Sequence, residues 1–274
     1  MKHTRIILFF LVLSAFNTTV FAQTDTEFWF APPEVTSGHV TDNPIVLRMA
    51  SGNTAATVTI EQPANALLFN GGVPIVVVIP ANSAVTVDLS ADLANLETFP
   101  TDVVLTTGLH IMSTANITCY YEVNTSNNAD IFTLKGAIAL GTEFYTPFQN
   151  IWRNGNYTPT PYTSFDIVAS EDNTTVYILP RVGLDGGHPA LTSYSITLMR
   201  GETYSGSVTS TSGADNPAGT AITSDKPIAV SIKDDSAWPQ PAGCKDLLGD
   251  QIVPTSSLGS EYIFTRGGLT VPER

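Results

Sequence analysis

The chain has 274 residues, with 12 Lys and Arg against 25 Asp and Glu and a formal charge of −13. A field of that sign repels polyphosphates, which excludes nucleic acid as a partner. Only 14% of the residues are charged, while Val, Ile, Thr, Gly, Pro and Asn abound. This is the vocabulary of strands and turns and argues against long surface helices.

Residues 1–22 open with Lys2, His3 and Arg5, continue with an apolar run over 6–16, and end Val20-Phe21-Ala22. That pattern is a secretory signal, with a run too short to span a bilayer. The mature chain is expected to begin at Gln23 with a formal charge of −15, since the removed segment carries two basic and no acidic residues. No later segment holds the roughly 20 apolar residues of a membrane helix. About 250 residues remain, enough for two domains that each bury a core.

In chain order, 44–50 and 56–61 read as strands around Ser51-Gly52-Asn53-Thr54, with Val58 and Ile60 facing in. The β-branched run 73–79 is expected to be buried on both faces. It joins 84–89 through Pro80-Ala81-Asn82-Ser83 as a candidate hairpin. After 103–105, a strand follows Gly108 and carries Ile117, Cys119, Tyr121 and Val123 on one face. Cys119 reads as a core residue and Cys244 as a loop residue, so whether they form a bridge stays open. Residues 130–140 leave room for one short turn of helix.

The steps then recur. Residues 164–170, the turn Glu171-Asp172-Asn173-Thr174, the inward pair Val176 and Ile178, and the 195–203 hairpin candidate retrace the first half. Gly108-x-x-Ile111-x-Ser113-x-x-x-Ile117 returns as Gly219-x-x-Ile222-x-Ser224-x-x-x-Ile228, with Val230 in the place of Cys119. The joint Leu140-Gly141-Thr142-Glu143-Phe144-Tyr145-Thr146 returns at Leu258-Gly259-Ser260-Glu261-Tyr262-Ile263-Phe264-Thr265, and a weaker copy is Glu27-Phe28-Trp29-Phe30. The expectation is an all-β protein: a signal peptide at 1–22, tandem β-sandwich repeats at 23–140 and 141–258, and the first strand of a truncated third repeat at 259–274.

Phe28-Trp29-Phe30-Ala31, Ala169-Ser170 with Asn173-Thr174-Thr175-Val176, Gly219-Thr220-Ala221-Ile222 with Ser224 and Lys226-Pro227-Ile228-Ala229-Val230, and Cys244 ahead of Asp246-Leu247, Gln251 and Pro254 carry a resemblance. In their order they resemble the IgGFc-binding protein N-terminal domain family. The resemblance implies a β-rich extracellular binding module of bacterial secreted or surface proteins, with no catalytic residues or cofactor to transfer. Asn116 departs from it where the second copy has Pro227, and Lys245 separates Cys244 from Asp246.

The residues themselves present no Gly-x-Ser-x-Gly elbow, no His-Glu-x-x-His helix and no glycine-rich phosphate loop with lysine. His39, His110 and His188 are scattered. The carboxylate pairs Glu171 with Asp172, Asp234 with Asp235, and Asp246 with Asp250 read as solvated turn residues, because Asp favours turns. No metal site and no enzymatic activity are expected. The candidate binding residues are Trp238, Asp234 and Asp235 on a Pro-stiffened loop, and Trp152 and Tyr157 on a second loop. A tryptophan on such a loop buries much area at small entropic cost, though Trp152 and Trp238 equally suit the capping of their own domains. Trp29, between two phenylalanines, reads as core or inter-domain packing. The expected role is non-enzymatic binding or adhesion at a bacterial surface, with an extracellular protein, immunoglobulin Fc among them, as partner. The alternative is a carbohydrate-binding accessory module with a glycan ligand.

Overall fold

The computed structural model describes residues 24–36, 43–124, 128–239 and 245–263. The expected signal peptide, His39, Cys244 and everything from Phe264 onward lie outside them. Among the described residues there is no α-helix, only strands, turns and seven short 3-10 segments. The helical turn expected within 130–140 is one of these, at Gly136–Ala139.

The first sheet uses β1 (Asp25–Phe30), β2 (Ile45–Ser51), β3 (Ala56–Glu61), β4 (Ile75–Ile79) and β5 (Ala84–Asp88). A two-residue strand β6 (Val104–Leu105) precedes the long β7 (Leu109–Val123), and β8 (Asp130–Leu134) follows. The first half of β7 pairs with β1 and β3, and its second half with β2 and β8. One buried cluster draws Phe28, Val58, Ile60 and Ile111 from the first set and Leu47, Tyr121 and Phe132 from the second. The two sets therefore face each other across a shared core, a sandwich in which one strand belongs to both layers.

The second sheet repeats this plan. Its strands are β9 (Gly141–Tyr145), β10 (Arg153–Asn154), β11 (Thr163–Ala169), β12 (Thr174–Leu179), β13 (Tyr194–Leu198), β14 (Thr203–Ser207), β15 (Ala221–Trp238) and β16 (Asp246–Ile252). The first part of β15 pairs with β9 and β12, and the later part with β11 and β16. Phe144, Phe165, Val176, Ile222 and Val230 fill its core.

The repeated motif now has a physical meaning. Ser113 Oγ donates to the carbonyl of Ala115 at 2.6 Å, and Ser224 Oγ to that of Lys226 at 2.7 Å. Both hydroxyls sit where the long strand leaves one layer for the other, where the pairings of β7 and β15 switch partners. A donor of the neighbouring strand closes each corner: Thr57 N donates to Thr114 Oγ1 at 2.9 Å and Thr175 N to Asp225 Oδ1 at 2.7 Å. The flanking Ile111 and Ile117, like Ile222 and Ile228, are buried. Cys119 is a buried free thiol, 1% exposed.

Several local expectations are corrected. β4 and β5 form no hairpin with each other: β4 pairs β3, and β5 pairs β2. The turn between them is an arch from layer to layer, tied to the β2–β3 arch by Ser51 N to Ser83 O at 3.0 Å and Asn82 N to Gly52 O at 2.7 Å. β13 and β14 likewise pair β12 and β11 rather than each other. The run 73–79 is not buried on both faces, because β4 lies at a sheet edge and turns Val76 and Val78 to solvent. Glu261, Tyr262 and Ile263 form no strand.

The two sheets meet along a polar, buried seam. β6 leaves the first and pairs β14 of the second, with Thr107 Oγ1 and Thr203 Oγ1 2.8 Å apart beside it. Trp29 is 3% exposed and packs with Ala31, Val168 and Ala229, so it lies between the sheets. Its ring stacks on His110 at 4.0 Å, and Arg200 from the β13–β14 turn covers it at 4.9 Å. His110 is held by Glu27 at 2.9 Å and Glu61 at 3.0 Å. Gln251 Nε2 donates to the Trp29 carbonyl at 2.7 Å, and Lys135 pairs with Asp250 at 2.7 Å. Lys233, wholly buried, donates to the Glu34 carbonyl at 2.6 Å and lies 3.3 Å from the Tyr162 ring centroid.

Candidate functional site

The far end of β15 organises the surface that the sequence singled out. Asp234 and Asp235 are corrected from loop residues to strand residues, and from solvated to buried. Asp234 Oδ1 accepts from Asn154 Nδ2 at 2.8 Å and Thr163 Oγ1 at 3.0 Å, and Oδ2 accepts from Gln149 Nε2 at 2.7 Å and Asn216 Nδ2 at 3.2 Å. Burial pushes the Asp234 carboxyl up, and these donors oppose the rise. Asp235 accepts from Thr36 N at 2.9 Å and from Asn128 Nδ2 at 3.1 Å, both from the first half of the chain. These two carboxylates build the site rather than line it.

Through Gln149, Asp234 also shapes the segment that carries Trp152. Gln149 Oε1 accepts from Ile151 N at 2.8 Å and Trp152 N at 2.7 Å, while its Nε2 donates to Trp152 O at 2.8 Å. The next two residues form β10, pairing Arg153 with Trp238 and Asn154 with Ala237. The expected loop at 150–157 is thus partly a strand clamped to β15.

Trp238, Tyr157, Arg153 and Lys245 come together on this end, each half-buried. The Lys245 ammonium lies 4.2 Å from the Tyr157 ring centroid and 4.7 Å from that of Trp238, and the Arg153 guanidinium lies 5.9 Å from the Trp238 ring. A Cβ at position 155 would stand 2.8 Å from both Lys245 Cδ and Tyr157 Cε2. The lysine stem and the Tyr157 ring lie close against the chain at Gly155, so a larger residue there would have to displace them. Arg153 is steadied by Asn156 Oδ1 at 2.5 Å. Among the described residues neither Arg153 nor Lys245 pairs with a carboxylate. Trp238 Nε1 is buried and finds no hydrogen-bond partner there. Trp152 makes no ring contact with this group among the described residues.

Sequence reasoning missed Lys245 and Arg153 as members of the site. Their signal was scarcity: basic residues flanking an aromatic cluster in a chain of formal charge −13. No cluster of three or more His, Cys, Asp or Glu able to hold a metal occurs among the described residues.

The model of the family described as IgGFc binding protein matches residues 129–273, just over half of the chain. The chain belongs to the IgGFc-binding protein family. The family match spans β9 to β16 of the second sheet and every member of the aromatic and cationic group. No curated protein matches the chain. Among solved structures, a Bacteroides uniformis beta-glucuronidase is similar at 11% identity over 83% of this chain and 26% of that one, with a TM-score of 0.18. A Bacteroides uniformis beta-glucuronidase 2 covalently bound to cyclophellitol-6-carboxylate aziridine is similar at 10% identity, with the same coverage and TM-score. This member of the IgGFc-binding family spans about a quarter of the length of those enzymes.

Proposed function

We propose that the chain is a recognition module, secreted or displayed on a bacterial surface through its N-terminal signal, that acts by binding and not by catalysis. Its ligand is an extracellular protein, held at the Trp238, Tyr157, Arg153 and Lys245 surface. The observation that carries this reading is the clamping of two cations, with no carboxylate partner among the described residues, against two aromatic rings. Large rings backed by a rigid strand supply contact area at little entropic cost, and Trp, Tyr and Arg are the residues that dominate interface energies.

Immunoglobulin Fc is the first partner to test, on the strength of the family. In a titration of the chain from Gln23 onward against immobilised Fc, saturable binding is expected. Trp238→Ala should cost about 2 kcal/mol, roughly thirtyfold in Kd, with circular dichroism unchanged. Trp152→Ala, outside the ring contacts, should cost less. No binding by folded protein removes Fc as the ligand. The same geometry suits the carboxylate of an acidic glycan, and glycan binding lost in Trp238→Ala would assign the surface to sugar instead.

A further inference from the structure

We propose that the free edge of β4 is a self-association site, at which two copies of this chain pair antiparallel about a two-fold axis through Val77. Among the described residues β4 is bonded to β3 alone, and its other side presents backbone groups that no described strand pairs. Natural edge strands are blunted by charge, proline or a bulge. Between Pro74 and Pro80, which only flank it, β4 itself carries none of these, and residues 62–87 contain no Asp, Glu, Lys or Arg in a chain that is 14% charged. Val76 and Val78 are 61% and 64% exposed, and the approach to the strand adds Leu67, Leu68 and Val73, all exposed.

The repeat supplies an internal control. Val76 and Val78 stand opposite Thr59 and Thr57 of β3, and at the same register of the second sheet Ser195 and Thr197 stand opposite Tyr177 and Thr175 of β12. The same edge of the same fold is therefore satisfied by polar outward residues. The sheet does not require valines there; a partner does.

The partner is a second copy for two reasons. Ile75-Val76-Val77-Val78-Ile79 is a palindrome. Antiparallel pairing centred on Val77 sets Val76 against Val78 of the other copy and Ile75 against Ile79, so outward valines meet outward valines. Such a contact is isologous and closes after two subunits. Electrostatics points the same way. Copies from Gln23 onward, each carrying −15, repel wherever carboxylates approach, and the charge-free edge removes that opposition from the contact.

Sedimentation of the chain from Gln23 onward, over micromolar to near-millimolar concentration, tests this. A concentration-dependent dimer is expected. The double variant Val76→Lys and Val78→Lys should be monomeric throughout with the wild-type circular dichroism, because lysine is a natural guard of open edges. Ser195→Lys with Thr197→Lys should dimerise like wild type. A wild-type monomer at every concentration overturns the proposal. So does a dimer that survives the lysines at 76 and 78, or an open-ended oligomer in place of a closed pair.

Discussion

Asp166 shows what burial in the seam does to a single residue. It lies in the middle of β11, fully buried, with Oδ2 accepting from Ser164 Oγ at 3.1 Å and the Ser205 hydroxyl beside the carboxylate. Burial raises its carboxyl from 3.8 to about 6, against the pull of the Lys233 charge. The folded state therefore holds this proton more tightly than the unfolded chain does. Its contribution to stability is fully present below 3.8 and is lost as the pH rises through about 6. Urea unfolding of wild type and Asp166→Asn at a series of pH values measures it. The stability of wild type relative to the variant is expected to fall by on the order of 3 kcal/mol across that window. Equal pH slopes in the two proteins would refute this. Cys119 and Val230 make a second point at the same scale, since the thiol sits in a core place that valine fills in the second sheet. That equivalence was legible in the sequence because a core position shows itself through the size and polarity of what occupies it.

At the scale of elements, the corner in each long strand was written in the chain and the arches were not. The Gly-x-x-Ile-x-Ser-x-x-x-Ile spacing places one serine where the strand changes layers, and that serine bonds a carbonyl two residues on. Removing the hydroxyl is expected to cost about 1 kcal/mol at each corner. The corners lie in different sheets, so the Ser113→Ala and Ser224→Ala losses should add in the double variant. Denaturant midpoints at constant slope check both statements. The turn Pro80-Ala81-Asn82-Ser83, in contrast, has the same local chemistry whether its flanking strands pair with each other or cross between layers. What decides is the bonding of β4 to β3 and β5 to β2, together with the Ser51 to Ser83 tie between the arches. The exposure of Val76 and Val78 escaped for a related reason. A continuous β-branched run fits a doubly buried strand and an open edge equally well, and only the position of the strand in its sheet separates them.

At the scale of the molecule, the seam binds the two sheets into one body. β6 crosses to pair with β14, Lys233 reaches Glu34 across the chain, and Asp235 takes donors from Thr36 and Asn128. β8 and β16 are laced together by Gly249 N to Asp130 at 2.7 Å and Thr133 N to Asp250 at 2.9 Å. Opening these contacts would take from the buried Lys233 ammonium and the buried Asp235 carboxylate the partners that hold them, a cost of several kcal/mol. Calorimetry is therefore expected to show one cooperative transition, with calorimetric and van't Hoff enthalpies in agreement. Two separable transitions would mean that the sheets unfold independently.

The amino-acid sequence alone determined the all-β class, the recurrence of one strand plan, the inward residues of most strands and the aromatic residues of the candidate surface. Each of these rests on a local pattern: alternation, turn residues and repeated spacing. The tertiary structure alone decided that Asp234 and Asp235 are buried scaffold, that Lys245 and Arg153 join Trp238 and Tyr157, and that β4 is left with an open edge. Those outcomes depend on donors and neighbours far apart in the chain, such as Thr36 for Asp235, 199 residues away. A residue's own type does not say which distant groups the pairing of strands will bring beside it.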